Sequence, residues 1–185
     1  MKKICIFTTF LALFLACQPA LTPSSHYVNE QIPLDIQLPG GNSPAAQSKL
    51  DAFTKKQFRK HATRLAGESV PEILFFSRGN DNPDQVPYTG IGSTVASLDT
   101  AKLRATGFAY RQVNNQPYLH KTTIDRAGRI ILSEYIVSLP DKYLYLFASA
   151  PITRSIRQNE EAMIVVQDSL NRKYGAAIGS LKATR

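Results

Sequence analysis

The chain has 185 residues, a formal charge of +8 from 22 Lys and Arg against 14 Asp and Glu, two Cys and no Trp. That length fits one ordinary domain whose core needs no covalent staples, and two Cys exclude a disulfide framework. The bases are scattered along the chain instead of gathered in a long block, which argues against a nucleic-acid surface.

Lys2 and Lys3 precede an uncharged apolar run of thirteen residues, Ile4 to Ala16, whereas a helix crossing the hydrocarbon core needs roughly twenty. A charged start, a short apolar centre and a small residue before the cut describe a secretory signal peptide over residues 1–16. Phe14-Leu15-Ala16-Cys17 resembles the lipobox of bacterial lipoproteins. The resemblance implies that Cys17 becomes a diacylated first residue and anchors the protein by two or more chains. The plainer alternative is a cut near Ala20 that leaves a soluble exported protein. By the lipoprotein reading Cys5 departs and Cys17 becomes a thioether, so no thiol is left for a nucleophile, a redox pair or a zinc site. The charge falls from +8 to +6 as Lys2 and Lys3 leave. In bacteria with two membranes, Gln18 in place of Asp implies the outer membrane, facing the periplasm.

Residues 17–27, with Pro19, Pro23, Ser24 and Ser25, read as a polar lipidated tether. A single domain is expected over 28–175. Ile32, Leu34, Ile36 and Leu38 alternate as a strand ended by Pro39-Gly40-Gly41. Asn42 or Ser43 then caps an amphipathic helix through Leu50, Phe53, Phe58, Ala62 and Leu65, stopped by Gly67. The period changes to two in EILFFS (Glu72 to Ser77) and YTGIGSTVAS (Tyr88 to Ser97), and LDTAKLRAT holds a short helix. Strand material from Phe108 to about Ile124 is broken at Asn114-Asn115. The turns DRAG (Asp125 to Gly128) and PDK separate RIILSEYIVSL from its neighbours, giving an antiparallel meander. Asn159 caps a closing helix with Glu160 and Glu161 in its positive first turn and Met163, Val166 and Leu170 facing a core. Residues 176–185 read as a loose C-terminal tail. The expected fold is α+β: an antiparallel meander sheet packed against an N-terminal amphipathic helix and a C-terminal helix.

Arg129 to Leu170, with RIILSEYIVSLPDKYLYLFASAPI followed by NEEAMIVVQDSL, resembles the C-terminal half of the PsbP-like fold of DcrB-type bacterial lipoproteins. The resemblance implies two long antiparallel strands, a proline exit and a closing helix.

Few residues point to chemistry. His26 falls in the tether, His61 among bases, and His120 on a strand, and no G-x-S-x-G elbow singles out a serine, so no enzyme is expected. Asp81, Asn82 and Asp84 share a loop without the glycine and distant glutamate of a calcium loop, and TGIGST lacks the third glycine of a phosphate loop, so neither metal nor cofactor is expected. Lys55, Lys56, Arg59, Lys60 and Arg64 lie on the first helix, where a solvated face competes with a surface for anionic headgroups or an acidic partner. Glu134 interrupts a strong strand and is expected on a solvent face. Tyr143, Tyr145 and Phe147 share one face of the next strand, as core or, for Tyr143 and Tyr145, as a shallow binding face.

These residues lead to a non-enzymatic envelope lipoprotein, held to the membrane by lipid on Cys17. It serves as a binding, assembly or accessory module for a protein or cell-wall partner, with no nucleic-acid role. The alternative is a protein holding a small apolar or anionic ligand between sheet and helix. Replacing Cys17 by Ser should abolish acylation and move the protein out of the detergent-requiring membrane fraction. Unchanged mass, processing and fractionation would refute the anchor.

Overall fold

The computed structural model describes residues 25–29, 34–39, 72–78, 88–94, 98–127 and 129–182. Strands β1 (Ser25–Asn29) and β2 (Leu34–Leu38) pair with each other. Strands β3 (Glu72–Arg78) and β4 (Tyr88–Thr94) follow, then helix α1 (Thr100–Ala105) and strand β5 (Ala109–Val113). The meander is β6 (Gln116–Asp125), β7 (Ile130–Ser138) and β8 (Tyr143–Pro151), closed by α2 (Arg154–Arg157) and α3 (Glu160–Gly179). The larger sheet has six strands in the order β3-β4-β8-β7-β6-β5, every pair antiparallel.

The turns follow from residue chemistry. Asn114 and Asn115 take φ of 47° and 61°, the pair of left-handed residues that a two-residue hairpin requires and Asn tolerates. After β6 the left-handed residue is Arg129, φ 54°; Gly128, which the sequence marks for that role, lies outside the described residues. Between β7 and β8 the Leu139 amide donates to the Lys142 carbonyl at 2.8 Å.

Period-two alternation sorts β7 and β8 onto two faces. Ile131, Tyr135, Val137, Leu144 and Leu146 point to α3, where Met163, Leu170, Tyr174, Ala177 and Ile178 meet them. Leu34, Ile36 and Leu38 of β2 complete this core, each no more than 1% exposed. The other face carries Leu132, Ile136, Tyr145 and Phe147, against which Leu103 and Phe108 pack. Each large aliphatic group so buried contributes about 1.5–3 kcal/mol.

Four expectations are corrected. Among the described residues the fold is sheet-dominated, with 50% strand and 30% helix, and the helix that packs on the meander is the long C-terminal one; the expected packing against an N-terminal amphipathic helix is not part of it. The N-terminal element that enters the core is the β1–β2 pair, because alternation in β2 presents three apolar side chains to one side. The segment expected as that helix, with Lys55, Lys56, Arg59, Lys60 and Arg64, lies outside the described residues. Secondly, the fold starts by Ser25, not at residue 28: Tyr27 is buried and its hydroxyl donates to the Leu74 carbonyl at 2.9 Å. Thirdly, the segment after Gly175 is no loose tail as far as Lys182. Helix α3 runs to Gly179 with Ala177 and Ile178 buried, and Lys182 exchanges two backbone hydrogen bonds with Asp35, at 2.9 and 3.1 Å. Finally, Glu134 does not face solvent; it is 2% exposed on the Leu132 face.

Gly90 and Gly92 lie within β4, so TGIGST is a strand. Gly90 stands opposite Phe147, and a Cβ there would come within 2.2 Å of the ring. The fully buried Phe147 thus lies over the glycine and fills the space that a side chain would take. Gly90→Ala should lower stability by about 1–3 kcal/mol through overpacking, read as a reduced urea midpoint at constant slope. A wild-type midpoint would show that the ring can relocate freely.

Candidate functional site

The site begins with α1. Asp99 caps it, its carboxylate accepting from the Lys102 amide at 3.0 Å. At the other end the Gly107 amide donates to the Arg104 carbonyl at 3.0 Å and the Phe108 amide to the Leu103 carbonyl at 3.2 Å. With Gly107 at φ 97° this is a Schellman ending, and its customary apolar contact is the pairing of Leu103 with Phe108 in the core. Glycine is needed there to turn the chain from helix into β5. The motif fixes a helix of only six residues on the sheet face opposite α3.

Among the described residues, so short a helix leaves part of that face uncovered. The strand registers place Tyr110, Leu119, Ile136 and Tyr145 in one row across β5, β6, β7 and β8. Between this row and α1 opens a groove of about 380 Å³. Leu98, Pro117, Leu119 and Ile136 give it apolar walls, while Thr100, Tyr110, Ser138 and Tyr143 bring hydroxyls. Arg104 of α1 supplies a positive charge, and none of the described residues in the lining is Asp, Glu, His or Cys. The groove therefore offers apolar contact, hydroxyl hydrogen bonds and one cation.

A second cluster lies under α3. His120 Nε2 is 2.9 Å from Ser133 Oγ, 3.2 Å from Asn171 Oδ1 and 3.2 Å from Thr122 Oγ1. The Ser133 and Thr122 hydroxyls donate to Asn171 Oδ1. The imidazole stacks on Tyr135, with ring centroids 4.8 Å apart and 23° between planes. Burial lowers the His120 pKa, Asn171 opposes this through its hydrogen bond, and the Arg111 charge adds to the lowering. Tyr135 is 1% exposed, and burial raises its pKa far above the usual phenol value. The Ser133 hydroxyl is near enough to pull that value back in part but makes no hydrogen bond of normal geometry with it. His120 and Ser133 stand as a base and nucleophile would, yet Ser133 is 0% exposed. The cluster joins β6 and β7 to α3, and its serine hydroxyl is closed to solvent.

The two tyrosines picked out from the sequence separate. Tyr143 lines the groove. Tyr145 lies beneath the surface, 2% exposed, its hydroxyl donating to Glu134 at 2.9 Å. Arg104, Tyr110 and Ser138 were missed as candidates; the signal available was the register of β5 to β8, which no single strand displays. Cys17 and the loop with Asp81, Asn82 and Asp84 lie outside the described residues. Among the described residues no group of three or more His, Cys, Asp or Glu could hold a metal ion, and no helix is long and apolar enough to cross a membrane. A scan against protein-family models finds no match, and a search of the curated proteins finds no relative.

The half-buried imidazole sets a pH dependence. Unfolded, His120 takes a proton near 6.5; folded, its lowered pKa resists protonation. The unfolded state thus binds more protons, so stability falls as pH drops below about 6.5 and levels off once the folded group also titrates. His120→Gln should flatten this part of the profile, measured by urea unfolding from pH 8 to 5. An identical slope in the variant would remove His120 as the cause.

Proposed function

We propose that the protein is a lipid-anchored, non-enzymatic binding protein of the bacterial cell envelope, and that it takes a small ligand in the groove between α1 and the sheet. The address rests on Lys2, Lys3, the apolar run to Ala16, and Cys17 with Gln18 behind it. The PsbP-like resemblance of Arg129 to Leu170 is carried in this reading by the succession β7, β8, α3. Binding rests on one observation: a concave space of about 380 Å³ with apolar walls and a few convergent polar groups, the usual make-up of a ligand site. Of the two readings that the sequence leaves open, the groove favours a small ligand between sheet and helix over a protein or cell-wall partner.

A thermal-shift screen of small apolar and anionic compounds provides the test. A ligand at about 100 times its Kd stabilises by about 2.7 kcal/mol and raises Tm visibly. Ser138→Trp, at an exposed position of the lining, should fill the groove without unfolding the domain and should cancel the shift. Equal shifts in the wild type and Ser138→Trp would place binding elsewhere.

A further inference from the structure

We propose that the groove selects small apolar acids, an aromatic or aliphatic body ending in one carboxylate, with the acid group held at Arg104; this rests on the reading of the groove as the ligand site. Among the described residues the lining is one-signed: Arg104 is its charged residue, and neither Asp nor Glu stands with it. Arg104 also makes no ion pair among the described residues, so no carboxylate described there already occupies its planar fork of donors. Such a fork accepts a carboxylate through two parallel hydrogen bonds, which a neutral amide or alcohol cannot reproduce.

The rest of the lining fixes the remainder of the ligand. Leu98, Leu119 and Ile136 offer apolar contact to its body, and Tyr110 and Tyr143 add amphipathic rings. The volume of about 380 Å³ lies at the lower end of the range for ligand pockets, about 300–1,000 Å³. Among the described residues a phosphate dianion would meet a single cation in the lining, and a cationic ligand would meet repulsion from it. A monoanion with an apolar body satisfies both the charge and the walls.

The test uses the full chain in lipid nanodiscs with 13C-labelled tyrosine rings, titrated with 4-phenylbutyrate and with its neutral counterpart 4-phenylbutanamide. Both probes should move the Tyr110 and Tyr143 signals, with Kd about fivefold lower for the acid. Arg104→Gln, at an exposed position, should bring the two constants within about twofold by weakening the acid alone, and Arg104→Lys should keep part of the preference. Equal constants in the wild type, or a preference that survives Arg104→Gln, would overturn the acid selectivity while leaving the groove as a ligand site. Unmoved Tyr110 and Tyr143 signals with both probes would overturn the selectivity and the site together.

Discussion

Strand β7 is buried on both faces: the seven consecutive residues Ile131 to Val137 are all inaccessible. A strand in that position needs cover above and below, and the rest of the molecule divides according to how each cover is supplied. On one side the cover is long. Helix α3 spans twenty residues, about 30 Å, enough to cross several strands, and β2 fills the space beside it. On the other side, among the described residues, α1 supplies six residues, about 9 Å. Among the described residues the groove opens beside that shorter helix, lined by Leu119, Ile136 and Tyr143.

Polar groups within the two covered faces have different roles. On the α3 side the hydroxyls of Thr122 and Ser133 converge on Asn171 beside His120. Each of these groups would cost about 1–3 kcal/mol if buried without a partner. The arrangement therefore discriminates against any sliding of α3 along β6, since a shift of one turn would leave several of them unpaired. At the far end Asn114 of the hairpin donates to the Gly179 carbonyl at 3.2 Å, tying the helix C-terminus to the same sheet edge. On the opposite side Glu134 accepts from Tyr145, and Lys121 stands across the β6–β7 pair from it with its ammonium 5.6 Å from the Phe108 ring centre.

Local signals were legible where a residue acts on its own neighbours. Asn159 caps α3, accepting from the Ala162 amide at 3.1 Å; the Asn114-Asn115 reversal and the alternation of β7 are read from adjacent residues in the same way. What depended on distant cover was not legible. Alternation assigns Glu134 to the face opposite Tyr135 but cannot say whether that face is covered. Ser25 to Asn29 is polar and follows a proline-containing stretch, so it reads as tether, and only pairing with β2 makes it a strand. Gly175 reads as a stop, since glycine costs a helix about 1 kcal/mol relative to Ala. The helix continues because Tyr174, Ala177 and Ile178 on the turns around it are buried. The same limit hid the site: Arg104, Tyr110, Ser138 and Tyr143 belong to three different strands and a helix, and come together only through register.

The proposed anchor bears on how the groove would work. Seven residues lie between Cys17 and Ser25, the first residue of β1, and at full extension the eight steps from one to the other span no more than about 28 Å. That is about the length of α3, so a domain held by acylated Cys17 stays within roughly its own dimension of the bilayer surface. A ligand reaching the groove would then be drawn from the layer beside the membrane, where apolar acids concentrate because their bodies partition to the interface while their charged heads stay in water. A short tether and a groove with one cation among its described residues are therefore compatible features of the proposal: the first would confine the protein to the region that such molecules occupy, and the second would provide a charge to hold them there.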